Sequence, residues 1–369
     1  MADSGESARP GLAQRLPVWW YRRRLAARLV PLLPLSWLFR LLTAVRRTLY
    51  RRGLLASVRL PVPVVVVGNL TVGGAGKTPL TLWLIARLRE RGLRPGIVSR
   101  GYGAEAAKHT KGAGVRPVLR DSAAAEVGDE PLLLARRSGV PVFVGRDRVA
   151  AGRALLAAHP ECDVIVSDDG LQHYRLQRAV ELVVFDGRGA GNARLLPAGP
   201  LREPLGRLAD ASALIWNGAP EARVAHAAGV LPQFSMRLAG ERFAALADPQ
   251  RTCAVADLRG KRLYALAGIG DPARFFRQLE TLGLVFEARP FPDHHAYTAA
   301  DLAFARDGVL LMTEKDAVKC APIYTGESWF LPVAAEILPC AAATGSVGSA
   351  KAPGLLDIIL EKFNGRTLA

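Results

Sequence analysis

The sequence predicts an α/β protein built on a doubly wound, mainly parallel sheet, and three observations support this prediction. A β-branched run at 63–67 (PVVVV) has the composition of a strand that is buried on both faces. A glycine-rich turn and a helical pattern at about 77–91 follow directly. Further strand-like runs then alternate with helical patterns, which is typical of parallel sheets with helical crossovers.

The chain divides into five predicted segments. They are a flexible tail at 1–14, basic amphipathic helices at 15–59, a larger α/β unit at 60–220, a smaller α/β unit at 221–340, and a C-terminal loop and helix at 341–369. In the larger unit we predict further strands at 96–99, 140–144, 163–167, 182–185 and 213–216, with helices at 130–137 and 147–158. In the smaller unit we predict strands at 262–267, 284–288, 309–312 and 329–333, with helices at 272–282 and 298–306. A loop at 344–353 and a helix at 354–363 end the chain.

Positive charge is concentrated in the first sixty residues. The whole chain has 49 Lys and Arg against 33 Asp and Glu, which gives a formal net charge of +16. Residues 1–60 contain twelve arginines and two acids, so this stretch alone carries +10. The excess predicts an anionic partner, which could be a membrane surface, a phosphorylated substrate or a nucleic acid.

The same N-terminal stretch is rich in leucine and tryptophan. From residue 35 onward, one predicted helical face carries Leu35, Leu38, Phe39, Leu42 and Leu49. Two prolines, Pro31 and Pro34, are expected to divide the stretch into two short helices. The longest uncharged run, 29–39, is shorter than the ~20 residues that a spanning helix needs. The composition favours a segment lying in the headgroup region of an anionic membrane over a helical pair merely packed on the protein. A nucleic-acid-binding arm is the weakest alternative, because a phosphate backbone has no use for so much leucine.

The four cysteines argue against a disulfide scaffold or a structural zinc site. They stand far apart, and none belongs to a CxxC pair or a Cys/His cluster. A reducing cytosolic environment is therefore the expected setting.

The strongest chemical signal is GNLTVGGAGKTP at 68–79, which is typical of a phosphate-binding loop between a strand and a helix. Glycines let successive backbone N–H groups face phosphates, and the helix N-terminus adds its positive end. Lys77 is placed to reach the β- and γ-phosphates, and the Thr78 hydroxyl to ligate Mg²⁺. Thr71 stands where GxxxxGK[ST] has its first glycine. The predicted nucleotide-binding residues of the loop are Gly73, Gly74, Ala75, Gly76, Lys77 and Thr78. The alternative is a glycine-rich turn with an accidental lysine.

Two adjacent carboxylates, Asp168 and Asp169, follow the predicted strand at 163–167. The carboxyl end of a buried parallel strand is where open α/β sheets bind ligands. Either aspartate could hold a metal ion beside the phosphate loop, although Asp-Asp-Gly also forms ordinary turns.

Several other polar residues are candidates on weaker signals. They are Asp129, Gln172, His173, Arg202, Glu203 and His294. The aspartate begins a predicted helix, where an N-cap role explains it as well as catalysis does. The histidine at 173 lies in a turn, and the Arg-Glu pair lies in a loop where a salt bridge is the simpler explanation. The Asp-His-His sequence at 293–295 could bind a metal, act in acid–base catalysis or cap a helix.

In this order, GNLTVGGAGKTP, SRGYG, VGDEP, SDDGLQHYRL, FPDHHAYT and LMTEKDAVK resemble the motifs of the tetraacyldisaccharide 4′-kinase family of lipid A biosynthesis. The resemblance covers residues 12–333. It implies a phosphate-loop kinase fold and transfer of the ATP γ-phosphate to the 4′-hydroxyl of an acylated glucosamine disaccharide 1-phosphate, which gives lipid IVA. It also implies ATP and Mg²⁺ as cofactors, no nucleic acid partner, and peripheral or monotopic attachment to the anionic cytoplasmic face of the bacterial inner membrane.

The resemblance also implies roles for individual residues. Lys77 would neutralise the transferring phosphoryl group, Asp129 would accept the proton of the 4′-hydroxyl, and His294 would orient and tune that aspartate. The predicted metal-binding residues are Thr78, Asp168 and Asp169. Gln172, His173, Arg202 and Glu203 would lie around the nucleotide and the substrate. Because the catalytic aspartate and histidine belong to different predicted units, we expect closure of the two units to assemble the site and exclude water.

Two other functions are weighed against a lipid kinase. One is a membrane-associated phosphate-loop GTPase or ATPase switch or chaperone without lipid kinase activity. It lacks support because no guanine-reading NKxD motif occurs in the sequence. The other is a nucleic-acid-dependent ATPase, which only the global charge suggests, and the concentration of that charge in a leucine-rich segment argues against it.

Overall fold

The computed structural model describes residues 12–22, 24–101, 114–340 and 353–364. Its α-helices are α1 Leu12–Trp20, α2 Leu33–Arg51, α3 Lys77–Glu90, α4 Ala124–Val127, α5 Asp129–Ser138, α6 Arg148–Ala158, α7 Ala222–Ala228, α8 Pro272–Thr281, α9 Glu314–Cys320 and α10 Leu355–Asn364. Its strands are β1 Val64–Gly68, β2 Pro95–Ser99, β3 Arg116–Pro117, β4 Val142–Val144, β5 Val164–Asp168, β6 Val180–Asp186, β7 Ala213–Asn217, β8 Gln233–Ala239, β9 Arg242–Ala245, β10 Thr252–Ala254, β11 Leu263–Ala267, β12 Glu287–Pro290, β13 Val309–Thr313, β14 Ser328–Leu331 and β15 Ala334–Pro339. Short 3-10 helices lie at Ala27–Leu32, Leu205–Asp210, Val255–Leu258 and Ala303–Ala305.

The larger sheet has nine strands in the order β15-β8-β7-β6-β1-β5-β2-β4-β3. Its pairings are parallel except those of the edge strands β3 and β15, which are antiparallel. Val65 and Val67 of β1 pack in one core with side chains of α3, α5 and α10, whereas Val64 and Val66 pack in another with α6 and α7. Successive side chains of a strand point to opposite faces, so the β-branched run fills the core on both sides of the sheet. This architecture confirms the predicted fold class.

The order of the larger sheet reverses at β1. The chain places β2 to β5 on one side of this strand and β6 to β8 on the other. Val67 of β1 is in register with Asp168 of β5, so the loops after these two strands leave the sheet side by side. Ligands of open α/β sheets bind at such a point.

A second sheet has six strands in the order β10-β9-β14-β13-β11-β12. Its central strands are parallel, and β9 and β10 pair antiparallel at one side. It extends from β9 to β14, whereas β8 and β15, the strands just before and after it, pair with each other in the larger sheet. The division between the sheets therefore differs from the predicted boundary at 220/221. Strands and helices alternate across that boundary without a break, and the local pattern does not encode the sheet in which a strand pairs.

Two predicted elements of the smaller unit differ in the structure. The predicted helix at 298–306 is replaced by turns and the short 3-10 helix Ala303–Ala305. The Asp301 carboxylate accepts hydrogen bonds from the Thr298 backbone N–H and hydroxyl, both at 2.8 Å. Such local bonds compete with helix formation. The strand predicted at 284–288 forms instead at Glu287–Pro290.

Some predictions fall outside the described residues. Of the predicted flexible tail, residues 12–14 belong to α1, and residues 1–11 are not described. Most of the loop predicted at 344–353 and the last two residues of the SRGYG motif also lie outside the described residues.

Helix α2 turns most of its large apolar side chains away from the protein. Trp37, Leu38, Leu41 and Leu42 are between 50% and 59% exposed. Of the residues predicted to share one apolar face, Phe39 instead packs against the core of the larger unit. The exposed residues form a contiguous apolar strip along the outer face of the helix.

The two prolines divide the N-terminal stretch unequally. Pro31 lies in the 3-10 helix, and Pro34 lies in the first turn of α2. Backbone N–H groups in a first turn have no acceptor within the helix, so a proline there costs no hydrogen bond. The result is one 19-residue helix rather than two short ones. By length and composition alone, Ala27–Arg51 could also cross a membrane, a test that signal sequences and buried core helices pass as well.

Candidate active site

The phosphate loop is held in shape by two buried amide side chains. Asn69, which is fully buried, donates from Nδ2 to the Gly73 carbonyl at 3.0 Å. Asn217, at the end of β7, donates from Nδ2 to the Ala75 carbonyl at 2.9 Å. Gly76 then enters helix α3 with φ of 93°, in the left-handed region that favours glycine. The two side chains therefore fix the path of the loop backbone through the carbonyls of Gly73 and Ala75.

Thr71 explains the departure from GxxxxGK[ST]. The residue is buried, and its backbone forms an antiparallel bridge to Leu201. Its φ is not positive, unlike that of Gly73 and Gly76. An extended, bridged residue needs no glycine, so a threonine is compatible with the loop at this position.

Replacement of Gly76 with alanine is expected to destabilise the protein, whereas the same change at Gly74 is not. A Cβ at Gly76 would lie 2.1 Å from Asn217 Nδ2, and the left-handed backbone adds strain, but a Cβ at Gly74 has nothing within 4 Å. We expect Gly76→Ala to lower the free energy of unfolding by about 1–3 kcal/mol. Denaturant unfolding of the two nucleotide-free variants measures the difference. Equal losses for both variants would contradict this explanation.

The two predicted metal-binding aspartates occupy different environments. Asp168 ends β5 and is buried, and among the described residues its carboxylate accepts only long hydrogen bonds, from the hydroxyls of Thr81 (3.4 Å) and Ser99 (3.5 Å). Burial, reinforced by the negative charge of Glu130, raises the pKa of Asp168 to about 7. The charges of Lys77 and Arg148 favour the ionised form of Asp168 but do not outweigh its burial.

Asp169, in contrast, already has two cationic partners. Arg202 Nη1 lies 3.1 Å and Lys77 Nζ 3.6 Å from its Oδ1. Burial opposes ionisation of Asp169, but the charges of Lys77 and Arg202 outweigh it and hold the pKa of this carboxyl below its ordinary value. Asp169 also has a left-handed φ of 48°. Such strain in a non-glycine residue is concentrated at functional sites.

Asp129 and His294 meet across the two units. Asp129 is the first residue of α5, and its Oδ2 lies 3.1 Å from His294 Nδ1. Its Oδ1 accepts the Glu130 backbone N–H at 2.9 Å, so both carboxylate oxygens are engaged. His294 follows β12 with a left-handed φ of 60°. The structure thus brings together the two residues that the sequence separates by 165 positions.

The electrostatics of this pair differ from the roles that the resemblance implies. Burial disfavours the charged carboxylate of Asp129, but the hydrogen bond from His294 and the charge of Lys315 outweigh it and lower the pKa to about 2. The hydrogen bond to Asp129 in turn raises the pKa of His294 above its ordinary value. The imidazole is consequently the stronger base of the two.

Lys315, in the first turn of α9, was missed as a site residue. Its side chain is 14% exposed, and Nζ lies 2.9 Å from Glu130, 3.1 Å from Asp293 and 3.4 Å from His294 Nε2. Burial lowers the pKa of Lys315, but the surrounding carboxylates, led by Glu130, raise it well above its ordinary value. The LMTEKDAVK motif was the available signal, but a lysine on a short helix is usually solvated.

Two cavities meet at the phosphate loop. The first, of about 570 Å³, lies between the units and is lined by apolar residues such as Leu82 and Phe275 and by Thr78. The second, of about 520 Å³, is lined by catalytic candidates and by Phe39 of α2. Lys77 lines both cavities. A group bound in one cavity can therefore be transferred to a molecule bound in the other beside this lysine.

The second cavity contains most of the remaining predicted residues. Asp129, Asp168, Asp169, Gln172, Arg202, Glu203 and His294 all line it. His173 lines neither cavity; its Nε2 lies 3.3 Å from the backbone nitrogen of Arg148. Burial, with the charge of Arg148, lowers the pKa of His173 to about 4, which suits a neutral structural histidine. Ala75 is buried within the phosphate loop.

Comparison with known proteins decides the family. The family model described as "Tetraacyldisaccharide-1-P 4'-kinase" matches residues 28–346. The chain belongs to this family. It is 57% identical over 352 residues to the tetraacyldisaccharide 4'-kinase of Dechloromonas aromatica, covering 95% of this chain and 97% of that protein. It is 54% identical over 331 residues to that of Azoarcus sp., covering 90% and 94%.

A solved structure has the same fold. The crystal structure of the "apo" form of LpxK from Aquifex aeolicus in complex with ATP is 31% identical, with a TM-score of 0.69 over 84% of this chain and 95% of that one. The resemblance predicted from the motifs is thereby confirmed, and the protein is an enzyme of the tetraacyldisaccharide 4'-kinase family. The Asp129–His294 pair, the two aspartates at the end of β5 and the phosphate loop form the candidate active site of this family member.

Proposed function

We propose that the protein transfers the γ-phosphoryl group of ATP to the 4′-hydroxyl of a tetraacylated glucosamine disaccharide 1-phosphate, which gives lipid IVA. The observation that carries this proposal is the meeting of two cavities at Lys77, with the Asp129–His294 pair on the side of the second cavity. One cavity accepts the nucleotide, the other accepts the sugar, and the lysine lies between donor and acceptor.

The first cavity suits the nucleotide. The triphosphate would lie along the phosphate loop at the N-terminus of α3, where backbone N–H groups and the helix dipole favour anions. Apolar residues from both units, such as Leu133 and Ile269, would pack against the base. Arg188 links the units here, because it donates to the carbonyls of Gly270 at 3.2 Å and Gly74 at 3.4 Å. A nucleotide would therefore be held between surfaces of both units.

Asp168 at the end of β5 and Thr78 at the start of α3 have the chemistry of a Mg²⁺ site. Mg²⁺ prefers carboxylate and hydroxyl oxygens, and usually takes only one or two carboxylates together with phosphates and water. Burial and the charge of Glu130 raise the pKa of the Asp168 carboxyl to about 7, so a cation beside it would favour its charged form, and Asp168 would hold the ion together with Thr78. Asp169 would instead keep Lys77 and Arg202 in place. The bound ion would neutralise negative charge on the phosphates.

His294 serves as the base and Asp129 orients it, the reverse of the roles implied by the sequence resemblance. The 4′-hydroxyl proton passes to the imidazole as the sugar oxygen forms its bond to the γ-phosphorus. The bond from that phosphorus to the bridging oxygen of ADP breaks, and the proton later leaves to solvent. Asp129, with both oxygens engaged and its pKa near 2, stays ionised and stabilises the imidazolium.

Helix α2 links the acceptor cavity to a membrane surface. Its inner face contributes Phe39, Thr43 and Arg46 to the second cavity, while Leu38 and Leu42 are exposed on the outer face. An interfacial helix would therefore lie with acyl chains on one side and the sugar headgroup on the other. The arginines concentrated in residues 1–60 favour an anionic membrane surface. We propose that the protein binds to the cytoplasmic face of the inner membrane.

Two glutamates on the outer face of α2 should strongly weaken membrane binding. We expect Leu38→Glu/Leu42→Glu to weaken partitioning to phosphatidylglycerol-containing vesicles by at least about 100-fold, since each buried leucine contributes roughly 1.5–3 kcal/mol. The matched control is Val230→Glu/Val285→Glu, two exposed valines on other surfaces. Vesicle sedimentation measures partitioning, and ATP binding should stay unchanged. Equal losses for both double variants would contradict the role of this face.

One assay tests the reaction. The full-length protein is incubated with γ-labelled ATP and Mg²⁺, with the disaccharide 1-phosphate in detergent micelles or with DNA or RNA. We expect label in the lipid only. Label released solely as inorganic phosphate, at a rate that the lipid does not change, would overturn the proposal and favour a nucleotide-hydrolysing switch.

A further inference from the structure

Tyr21, directly after helix α1, lies against the phosphate loop. Its hydroxyl donates to the Val72 carbonyl at 3.2 Å. Its ring faces the guanidinium of Arg188, whose Cζ lies 4.6 Å from the ring centroid. A residue of the basic N-terminal segment, which the sequence assigns to the membrane, therefore reaches the nucleotide side of the protein.

The end of α1 is anchored on the loop that follows β6. Trp20 Nε1 donates to the Pro197 carbonyl at 2.9 Å, and the Trp20 carbonyl accepts the Asn192 backbone N–H at 2.7 Å. A Cβ at Gly191 would lie 2.5 Å from the Trp20 carbonyl oxygen, so the two segments are in close contact. These contacts fix the position of Tyr21, the next residue in the chain.

Arg188 connects the ring of Tyr21 to the phosphate loop. The Arg188 Nε donates to Asp186 Oδ2 at 2.9 Å, and Nη2 donates to the Gly74 carbonyl at 3.4 Å. Nη1 donates to the Gly270 carbonyl of the smaller unit at 3.2 Å. A guanidinium is planar, so an aromatic ring against one face fixes the plane in which its donors lie. The ring of Tyr21 thereby orients the donors of Arg188.

Four successive carbonyls of the phosphate loop accept a hydrogen bond from a side chain. The carbonyls and their donors are Val72 with Tyr21, Gly73 with Asn69, Gly74 with Arg188, and Ala75 with Asn217. A trans peptide directs its carbonyl and the following N–H in opposite directions. The four donors therefore fix the directions of the N–H groups of residues 73–76, which are the groups that a phosphate loop offers to an anion.

We propose that Tyr21 is a positioning residue of the nucleotide site, which holds the phosphate loop in the conformation that binds the triphosphate. Tyr21 acts on two of the four carbonyls, on Val72 directly and on Gly74 through Arg188. It lines neither of the two cavities, so the inference assigns it no contact with the nucleotide. The inference rests on the proposed function, because it takes ATP as the ligand of the loop.

The competing explanation is that Tyr21 anchors the protein in the membrane. Tyrosines are enriched at membrane–water interfaces, where the hydroxyl lies at the level of the headgroups. The hydroxyl of Tyr21 instead bonds to Val72, and its ring packs against Arg188. We therefore expect changes at Tyr21 to affect the binding of ATP and not the binding of a membrane.

The first test measures nucleotide affinity. A fluorescent ATP analogue is titrated into the full-length protein in detergent micelles without lipid acceptor. Tyr21→Phe, which removes only the hydroxyl, should weaken binding about 2–10-fold, and Tyr21→Leu, which also removes the ring, about 10–100-fold. Tyr324→Leu is the matched control, because the Tyr324 hydroxyl also donates to a backbone carbonyl, that of Ala305 at 3.0 Å. It should bind the analogue as wild type does.

Two results of this titration would overturn the inference. One is an affinity of Tyr21→Leu within about twofold of wild type, and the other is an equal loss in Tyr324→Leu. If Tyr21→Leu does not fold, Tyr21→Phe decides, and an unchanged affinity in that variant would overturn the inference. A wild-type protein that does not bind the analogue would instead count against the proposed function.

The second test examines the route through Arg188. Tyr21→Leu and Tyr21→Phe differ in the ring, so the difference between their affinities measures what the ring contributes. In an Arg188→Met background the ring has no guanidinium to orient, and we expect this difference to shrink to within about twofold. A general loss of stability would leave the difference unchanged. A difference that persists in the Arg188→Met background would overturn the route through Arg188.

The third test separates the nucleotide from the membrane. In the lipid assay Tyr21→Leu should raise the KM for ATP, while the KM for the lipid stays within about twofold of wild type. Partitioning of the same variant to phosphatidylglycerol-containing vesicles should match that of wild type. Weaker partitioning together with an unchanged KM for ATP would overturn the inference and identify Tyr21 as a membrane anchor.

Discussion

Replacement of Lys77 with methionine is expected to lower phosphoryl transfer to the lipid by at least about 10³-fold. Lys77 is 7% exposed and lines both cavities, so its ammonium lies where the phosphoryl group would pass. Asn69 Oδ1 at 3.3 Å and Asp169 Oδ1 at 3.6 Å hold the ammonium in this position. Methionine preserves the unbranched stem and removes only the charge and the donors.

The loss should appear in the chemical step more than in folding. Asp169 keeps Arg202 as a partner when Lys77 is replaced, so the variant should fold with at most a small change in stability. Single-turnover transfer of γ-label to the lipid measures the step, and fluorescent-nucleotide binding separates it from affinity. The control is Lys261→Met, which removes a surface lysine paired with Glu327 and whose transfer rate should match wild type. Transfer within tenfold of wild type in Lys77→Met, with ATP still bound, would contradict the role assigned to Lys77.

The parts of the site that the sequence predicts are those that a single strand positions. The phosphate loop follows β1, and the two aspartates stand at the end of β5. Parallel strands bring their carboxyl ends to one edge of the sheet. A local motif together with the predicted sheet therefore places Lys77 close to Asp168 and Asp169. The contacts of Asn217 and Lys315 follow from no local pattern, because they depend on how β7 and the smaller unit pack against the loop.

The boundary between the two units also could not be predicted from local sequence patterns. Strand β15 lies beyond the second sheet in sequence but pairs with β8 at the edge of the first. Its composition resembles that of neighbouring strands, so only the three-dimensional pairing separates them. Helix α2 was predicted to be amphipathic, and its exposed apolar strip is present. Phe39, which was predicted to belong to that strip, instead packs against the core of the larger unit and lines the second cavity.

Replacement of His294 with alanine is expected to lower kcat about 10²–10⁴-fold, the usual contribution of a general base. The KM for ATP should change little, because His294 lines the acceptor cavity and not the nucleotide cavity. Asp129→Asn should also lower kcat, since an amide neither raises the pKa of the imidazole nor stabilises the imidazolium. Because the two residues act as a unit, the double variant should be little worse than the poorer single variant.

The pH dependence distinguishes which member of the pair is the base. The hydrogen bond to Asp129 raises the pKa of His294, so the imidazole is protonated and inactive below that pKa and becomes active as the pH rises through it. Wild-type kcat should therefore climb with pH across an inflection above the ordinary histidine value, and Asp129→Asn should move that inflection to lower pH. A base with a pKa near 2, as Asp129 has, would instead give no inflection in the neutral range. His295→Ala is the matched control, because its Nε2 lies 3.3 Å from Asp301 and its ring lines neither cavity. A kcat profile that stays flat from pH 5 upward would return the role of base to Asp129. A loss of kcat in His295→Ala as large as that in His294→Ala would mean that the Asp129–His294 pair does not supply the base.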